Sequence, residues 1–279
     1  MSGNEKKESL LGRVLSIAGS DSGGGAGIQA DLKTCTALGC FGMTAITALT
    51  AQNTVGVSAI LEAPTEHVEA QIAAVFEDIG ADAVKTGMLS NASIIETVVN
   101  ALKRYGARNI VVDPVMISKS GAALLKDDAV ETLKKLLIPM ASVICPNIPE
   151  AERLTGMAII SEDDIRRALG LLHDLGPDWV LLKGGHLRSV EATDYLYDGK
   201  EIVTYRGPRI DTVNTHGTGC TYSAAIACYL ASGKSPVSAV GKAKEYVTGA
   251  IVHSDRLRIG HGAGPLHHGW NLESTMDKD

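Results

Sequence analysis

The chain has 279 residues, 45% of them hydrophobic, with a formal net charge of −6 and an isoelectric point near 5.8. This length is compatible with one or two domains. The sequence contains no run of about 18 apolar residues, so it predicts no membrane span. An acidic chain without basic clusters disfavours nucleic acid as a partner. We therefore expect small molecules, or a second copy of the chain, as partners.

The two ends of the chain and its cysteines indicate the cellular compartment of the protein. Residues 1–12 are polar, have no apolar signal-peptide core and predict a flexible N-terminal tail, and 259–279 predict a C-terminal tail. The five cysteines include no C-x-x-C pair, and most lie within apolar patterns. Such usage is typical of reduced thiols, so we expect a cytoplasmic protein with four core cysteines and Cys220 as the exception.

Short apolar runs alternate with helical stripes along the chain. Strands are predicted at 14–18, 44–51, 83–84, 110–112, 143–145 and 179–182. Between and after them, apolar residues spaced by three or four predict helices at 28–38, 68–79, 94–102, 130–137 and 221–231. Residues 195–205 break the alternation and predict a hairpin around Asp198-Gly199. The alternation predicts a single α/β domain, at 13–258, with a mainly parallel sheet.

Ligands of an open parallel sheet bind beyond the carboxyl ends of its strands. The segments at these ends are Gly19-Ser20-Asp21, Gln52-Asn53, Lys85-Thr86-Gly87-Met88, Asp113-Pro114, Pro146-Asn147, Lys183-Gly184-Gly185 and Gly217-Thr218-Gly219-Cys220. Two lysines, two glycine-rich loops and carboxylates at one edge predict a site for phosphate and a metal.

Two common nucleotide-binding motifs do not fit. Gly25 to Ala30 matches G-x-G-x-x-A, but the next predicted strand ends without the acidic residue that a dinucleotide site uses. Gly233-Lys234-Ser235 resembles the end of a Walker A loop, but the required earlier glycine is Cys228. A metalloprotease is also disfavoured, because the eight histidines include no H-E-x-x-H.

The turn Gly217-Thr218-Gly219-Cys220 comes directly before a run of small and apolar residues that predicts a buried helix. Glycines at a helix start let backbone N–H groups converge on an anion, and the helix dipole adds positive charge. The same field is expected to lower the pKa of the Cys220 thiol, which makes Cys220 a candidate base or anion-binding group. A tight turn around a packed cysteine explains the pattern equally well.

Seven motifs together resemble one enzyme family. They are Ile17 to Asp31, Thr50 to Thr54, Lys85 to Leu89, Val112 to Met116, Pro146 to Ala151, Leu182 to His186 and Gly217 to Cys220. In order and spacing they are similar to hydroxymethylpyrimidine/phosphomethylpyrimidine kinases, which are thiamine-biosynthesis enzymes of the ribokinase superfamily. The resemblance implies a ribokinase-like three-layer α/β/α sandwich with a mainly parallel central sheet and a reduced lid, usually as a homodimer.

The resemblance also implies a reaction. ATP would phosphorylate the hydroxymethyl group of 4-amino-5-hydroxymethyl-2-methylpyrimidine, and a second ATP would convert the monophosphate to the diphosphate. Mg²⁺ is the implied metal, with Asp113 and Glu150 as its oxygen ligands, directly or through water. Glu150 follows Pro149, so a charge at a helix N-terminus is the alternative interpretation.

The motifs assign the remaining roles by resemblance. The substrate-binding positions are Gln52, Asp21, Ala18, Gly19, Met88 and Val115. An amide such as that of Gln52 suits an aminopyrimidine, because it offers one donor and one acceptor side by side. Gln52 as a solvated strand end and Met88 as ordinary core remain open. The predicted phosphate-binding and catalytic positions are Lys183, Gly217, Thr218, Gly219 and Cys220.

Two alternatives stay open in the same superfamily. Sugar kinases of this fold usually have Asp where Cys220 stands, and some relatives with these motifs phosphorylate pyridoxal. Those relatives often carry a second cysteine in the lid, and residues 116–122 contain none, which favours the pyrimidine substrate. A non-catalytic pyrimidine sensor is disfavoured, because Lys183, Asp113 and the glycine turn are all present.

Overall fold

A single nine-stranded sheet runs through the computed structural model, which describes residues 12–117, 121, 124–184 and 191–272. The strands are β1 Arg13–Asp21, β2 Phe41–Gln52, β3 Val57–Glu62, β4 Ala83–Thr86, β5 Ile110–Val112, β6 Val143–Ile144, β7 Val180–Lys183, β8 Glu191–Tyr197 and β9 Ile202–Pro208. Their order is β3-β2-β1-β4-β5-β6-β7-β8-β9. Neighbouring strands pair in parallel along the central six, which are β2, β1, β4, β5, β6 and β7. At the two edges β3, β8 and β9 pair antiparallel.

Eight α-helices connect and follow the strands in the described part of the chain. They are α1 Gly27–Ala37, α2 Thr65–Ala74, α3 Ala92–Arg104, α4 Asp127–Thr132, α5 Ile148–Thr155, α6 Glu162–His173, α7 Thr218–Ala231 and α8 Pro236–Val252. Helix α2 continues into a π-helical turn at Val75–Ile79, and α4 continues into another at Leu133–Leu137. Short 3₁₀ segments follow at Ile138–Met140 and His253–Arg256.

Alternating side chains of the strands feed two separate cores. On β1, Leu15 and Ile17 pack with buried residues of helices α2 to α6, while Val14 packs with those of α1, α7 and α8. This follows from strand geometry, because successive side chains point to opposite faces of a sheet. The predicted three-layer α/β/α sandwich with a mainly parallel sheet is confirmed.

Most predicted elements are present with longer bounds. The hairpin prediction is confirmed by β8 and β9, and all five cysteines are free thiols, with Cys35, Cys40, Cys145 and Cys228 buried. Four elements had no predicted bounds, β3, α5, α6 and α8. Strand β3 is largely exposed and lacks an apolar alternation, so no burial pattern marks it.

The segment after the last helix is packed against the domain as far as Leu272. Ala263 N donates to Thr54 O over 3.0 Å, and Tyr246 Oη donates to His268 O over 2.6 Å. Leu266 and His268 are buried. The predicted C-terminal tail is therefore in contact with the domain at 259–272, while 273–279 and most of the predicted N-terminal tail lie outside the described residues.

No helix in the described part of the chain is long and apolar enough to cross a membrane.

Candidate phosphoryl-transfer site

Two helix N-termini meet at the carboxyl edge of the sheet. Gly217, which precedes α7, has a φ of +85°, and a Cβ there would overlap the carbonyl oxygen of Gly25. Gly27, the first residue of α1, has a φ of +55°, and a Cβ there would overlap the carbonyl oxygen of Gly19. Only glycine allows both the left-handed backbone and this approach. The two glycine-rich segments of the sequence therefore form one site.

The first turn of α7 lies against Lys183. A Cβ placed on Gly219 would be 3.4 Å from Lys183 Nζ and 3.6 Å from Asp113 Oδ2. The Thr218 hydroxyl donates to Thr215 O over 2.8 Å, which fixes the turn. Because the first N–H groups of a helix have no intrahelical acceptor, this turn and the lysine together form a cradle for an anion.

Lys183 is held at the rim by an ion pair with Asp113. Its Nζ lies 3.0 Å from Asp113 Oδ1, and its side chain is 13% exposed. Burial lowers the pKa of Lys183, but the charges of Asp113 and then Glu150 outweigh burial and raise it. The ammonium group is therefore charged over the whole physiological pH range.

Asp113 and Glu150 provide more negative charge than Lys183 neutralises. Asp113, at the end of β5, is buried, and Ser223 Oγ donates to its Oδ2 over 3.2 Å. Burial raises the pKa of Glu150 to about 7, Lys183 opposes the rise and Asp113 adds to it. Two acids beside one lysine leave a net charge of about −1 at full ionisation. Two carboxylates whose negative charge exceeds the neighbouring positive charge fit a magnesium ion, which prefers oxygen ligands.

Glu150 also caps its own helix. Its Oε2 accepts from Asn147 N over 2.8 Å, and Asn147 Oδ1 accepts from Glu150 N over 2.9 Å, which forms a capping box at the start of α5. The helix-end interpretation that the sequence left open is therefore present in the structure. It occupies Oε2, and the carboxylate has a second oxygen for a metal or a water.

The expectation that helix α7 lowers the pKa of the Cys220 thiol is wrong for the free enzyme. Burial raises this pKa to about 11, and the nearby Lys85 opposes the rise without overcoming it. Desolvation of a thiolate outweighs the field of one helix end. Cys220 is therefore a neutral thiol at physiological pH before substrate binds.

Lys85 does not join the phosphate site, although the strand-end pattern placed it there. Its side chain is fully buried, and Nζ lies 2.8 Å from Asp31 Oδ2. Ser16 Oγ donates to the same carboxylate oxygen. Burial lowers the pKa of Lys85, but Asp31 and then Cys220 raise it above the usual value. The ion pair is sealed beneath the site.

Asp21 organises the first glycine loop. Its Oδ1 accepts from Gly23 N over 2.8 Å, and its Oδ2 accepts from Gly25 N and Ala26 N over 3.1 and 2.8 Å. The same Oδ2 lies 2.8 Å from His216 Nε2. Asp21 therefore shapes the loop, and both of its oxygens have protein partners.

Gln52 lies at the end of β2 beside this loop. Its side-chain amide lies between Thr50 Oγ1, at 3.1 Å, and His216 Nε2, at 3.3 Å. Its backbone N–H donates to Ser22 Oγ over 2.8 Å. The amide is thus half-buried and ordered by neighbours, unlike the solvated strand end that the sequence left open.

The other predicted substrate-binding positions lie on or shortly after strands β1, β4 and β5: Ala18, Gly19, Met88 and Val115. Ala18 is buried on β1, and a Cβ placed on Gly19 would be 3.2 Å from Met88 Sδ. Met88 follows β4 and is largely buried, with its carbonyl accepting from Thr47 Oγ1 over 2.7 Å. Val115 follows β5 and is half-buried, and its N–H donates to Asp113 O over 2.8 Å.

His216 is the residue that sequence reasoning missed. It joins Asp21 and Gln52, which are 195 and 164 residues away along the chain. The available signal was its position directly before Gly217. Of the predicted lid, residues 118–120 and 122 lie outside the described part of the chain, as do Gly185 and His186 of the motif that follows Lys183.

Comparisons with known proteins agree with this geometry. Residues 21–267 match the family model described as phosphomethylpyrimidine kinase. A hydroxymethylpyrimidine/phosphomethylpyrimidine kinase of Streptomyces coelicolor is 52% identical over 259 residues, which cover 93% of this chain and 95% of that protein. A bifunctional thiamine-biosynthesis protein of Geobacter sulfurreducens is 51% identical over 96% of this chain, and the chain spans 54% of its length.

Solved structures give the same picture of the fold. The ADP complex of Bacillus subtilis pyridoxal kinase matches with a TM-score of 0.87 and 39% identity, covering 95% of this chain and 99% of that one. A phosphomethylpyrimidine kinase from Clostridium difficile matches with a TM-score of 0.77 and 51% identity, covering 86% and 99%. On its sequence, its fold and the match over residues 21–267, the chain belongs to the phosphomethylpyrimidine kinase family.

Proposed function

We propose that this enzyme uses ATP to phosphorylate 4-amino-5-hydroxymethyl-2-methylpyrimidine and then its monophosphate, as a step of thiamine biosynthesis. The observation that carries the proposal is the packing of the first turn of α7 against Lys183 and Asp113. A Cβ placed on Gly219 would be 3.4 Å from the Lys183 ammonium nitrogen. The names of relatives that are about 50% identical over most of the chain support the same reaction.

The phosphate end of the site provides electrostatic stabilisation. Phosphoryl transfer has a loose transition state, so positioning and charge stabilisation account for most of the catalysis. Lys183 would neutralise the phosphoryl oxygens, and the N–H groups of Gly219 and Cys220 would bind them at the helix start. A neutral Cys220 thiol supports membership of this anion hole, whereas a base role requires substrate binding to lower the thiol pKa.

Asp113 and Glu150 would hold Mg²⁺, directly or through water. The ion supplies neutralising charge between donor and acceptor phosphates when it is bound. Both carboxyl groups lie beside Lys183, and the raised pKa of Glu150, to about 7, reflects burial first and then the Asp113 charge. A cation beside them favours the ionised form of both acids.

The other end of the site would bind the pyrimidine. Gln52 would hydrogen-bond the ring edge, with Ala18, Gly19 and the Asp21 loop beneath it and Met88 and Val115 as apolar walls. The contact of Gly19 with Met88 and the half-buried amide of Gln52 support this arrangement.

We also propose a homodimer in a reducing, cytoplasmic compartment. The edge strand β3, its neighbour β2 and the turn between them expose several large apolar side chains, at 40–67% of their surface: Leu49, Val55, Ile60 and Leu61. Leu49 and Leu61 are directly paired across the two strands, and exposed apolar side chains that lie together are typical of an interface. The five free cysteines support the reducing compartment.

A coupled ATP assay tests the function. The purified chain is supplied with hydroxymethylpyrimidine, its monophosphate, pyridoxal and a sugar panel, with and without Mg²⁺. We expect turnover on the two pyrimidines, dependent on Mg²⁺. Failure to turn over ATP on any of these compounds would remove the enzyme interpretation and favour a pyrimidine sensor.

Pyridoxal is the second candidate substrate. It is favoured by one observation, the likeness to structures of pyridoxal kinases at 36–39% identity and TM-scores of 0.85–0.87. Identity to the pyrimidine kinases is higher, at about 50%. The pyrimidine is therefore the proposed main substrate, and kcat/KM for the two compounds in the same assay decides between them.

A further inference from the structure

The Gln52 amide lies between two polar neighbours whose protons are committed elsewhere. As placed, Gln52 Oε1 lies 3.1 Å from Thr50 Oγ1, and Gln52 Nε2 lies 3.3 Å from His216 Nε2. The oxygen and nitrogen ends of an amide have nearly the same shape, so its partners decide which end points which way. The two neighbours therefore determine the edge that Gln52 presents to a ligand.

His216 Nε2 must be a donor. It lies 2.8 Å from Asp21 Oδ2. Burial raises the pKa of Asp21, but the bonds from His216 and the loop amides outweigh burial and hold it below the usual value. An ionised carboxylate only accepts, so Nε2 carries a proton whether the imidazole is neutral or charged. A protonated Nε2 has no lone pair that could accept from the amide N–H of Gln52, so the amide oxygen of Gln52 must face His216.

Thr50 leads to the same orientation by a separate argument. Its hydroxyl has one proton, and that proton is donated to the carbonyl oxygen of Ser20 over 2.8 Å. Toward Gln52 the hydroxyl oxygen can therefore only accept. The amide nitrogen of Gln52 must face Thr50, which is what the His216 side also requires.

We propose that His216 is a positioning residue for substrate selection: with Thr50, it turns the Gln52 amide over from the placement given above, so that the oxygen faces His216 and the nitrogen faces Thr50. The inference rests on the role of Gln52 proposed above. A ligand must then offer a donor on the His216 side and an acceptor on the Thr50 side. An aminopyrimidine offers this pattern with its exocyclic amine and the adjacent ring nitrogen.

The same orientation disfavours pyridoxal. Next to its hydroxymethyl group, pyridoxal carries a formyl oxygen and then a phenolic oxygen where the aminopyrimidine carries an amine and a ring nitrogen. An acceptor oxygen that faces the amide oxygen of Gln52 is repelled. A buried polar site rejects a ligand whose donors and acceptors do not match its own. His216 would thus discriminate between the two vitamin precursors without touching either.

The test compares kcat/KM for hydroxymethylpyrimidine and pyridoxal in His216→Leu and His216→Gln variants. Where pyridoxal is not turned over, its inhibition constant replaces kcat/KM. We expect His216→Leu to lower the pyrimidine-to-pyridoxal ratio at least tenfold, mainly through a higher KM for the pyrimidine. His216→Gln keeps an N–H donor near Asp21 and should recover most of the ratio.

Two further variants separate positioning from structural support. Lys33→Met removes the bond from Lys33 Nζ to Gly24 O, 2.7 Å long, on the same glycine loop but without contact to Gln52, and should leave the ratio unchanged. Thr50→Val should lower the ratio in the same direction as His216→Leu, and it provides the test if His216→Leu does not fold.

Two results would overturn the proposal. An equal loss on both substrates in His216→Leu would mean that His216 only supports the Asp21 loop. An unchanged pyrimidine-to-pyridoxal ratio in Gln52→Leu would mean that Gln52 does not hydrogen-bond the ring edge, and the role of His216 would then be excluded as well. In the second case ATP turnover on the pyrimidine would still uphold the kinase assignment, so the two failures are distinguishable.

Discussion

Lys85 on β4 and Lys183 on β7 both lie near the carboxyl ends of parallel strands, and each forms an ion pair with an aspartate. Lys85 is fully buried and paired with Asp31, so the pair is neutral and closed. Lys183 is 13% exposed, lies against the glycine turn of α7 and has two acids as neighbours. The comparison indicates that a strand-end lysine can reach a phosphate only where the neighbouring layer leaves it open.

The largest expected effect is on stability, from Lys85→Met. This variant leaves the Asp31 carboxylate buried without its cation, and breaking a buried pair in this way costs about 3–5 kcal/mol. Denaturant unfolding measures the change. The double variant Lys85→Met/Asp31→Leu removes both charges and should recover most of the loss. A single variant as stable as the parent protein would contradict the closed-pair interpretation.

Lys183→Met should affect turnover more than stability. Removing one charged donor from a transition-state site typically lowers kcat by about 10²–10³. The same coupled ATP assay measures it, with far-UV circular dichroism as the check on folding. If Lys183→Met keeps more than a tenth of the parent kcat, Lys183 is not a phosphate ligand.

The excess acid beside Lys183 should make stability depend on pH. Burial first raises the pKa of Glu150 to about 7 in the folded enzyme, above the 4.5 of an unperturbed glutamate. The folded state therefore holds this proton more tightly, and metal-free protein should lose roughly 1–3 kcal/mol as pH rises from about 4.5 to 7.

Glu150→Gln cannot titrate and should flatten this pH dependence, which thermal unfolding from pH 4.5 to 8 would show. Mg²⁺ should restore stability above pH 7 in the parent protein and less so in the variant. The same slope in both proteins would exclude Glu150 as its source.

The smallest expected effect is that of Cys220, which lies near Lys85. Cys220→Ala should lose at least tenfold in turnover, or about 1.4 kcal/mol. Burial raises the thiol pKa to about 11. Iodoacetamide should therefore alkylate Cys220 of the ligand-free enzyme slowly at pH 7, and the alkylation rate should still increase with pH beyond pH 9. Near-normal turnover in folded Cys220→Ala would exclude the base role but leave the backbone anion hole in place.

Local patterns in the sequence predicted much of the molecule. The change between strand and helix periodicity predicted a single α/β domain with a mainly parallel sheet, because burial on one face of each element repeats along the chain. The family resemblance added the three layers. Strand ends next to glycines located the edge where the site lies, and the turn at Gly217 followed from its place before a small-residue helix. These features depend on residues that are close together in the chain.

The tertiary structure decided what distance along the chain hides. Asp31 comes 54 residues before Lys85 and seals it, and His216 reaches Asp21 across 195 residues. Desolvation of Cys220 depends on every element packed around it, so a rule for helix ends gave the wrong direction for its pKa. The sequence thus determined the fold and the edge that carries the candidate site, while packing between distant elements decided which charged groups remain open to a phosphate.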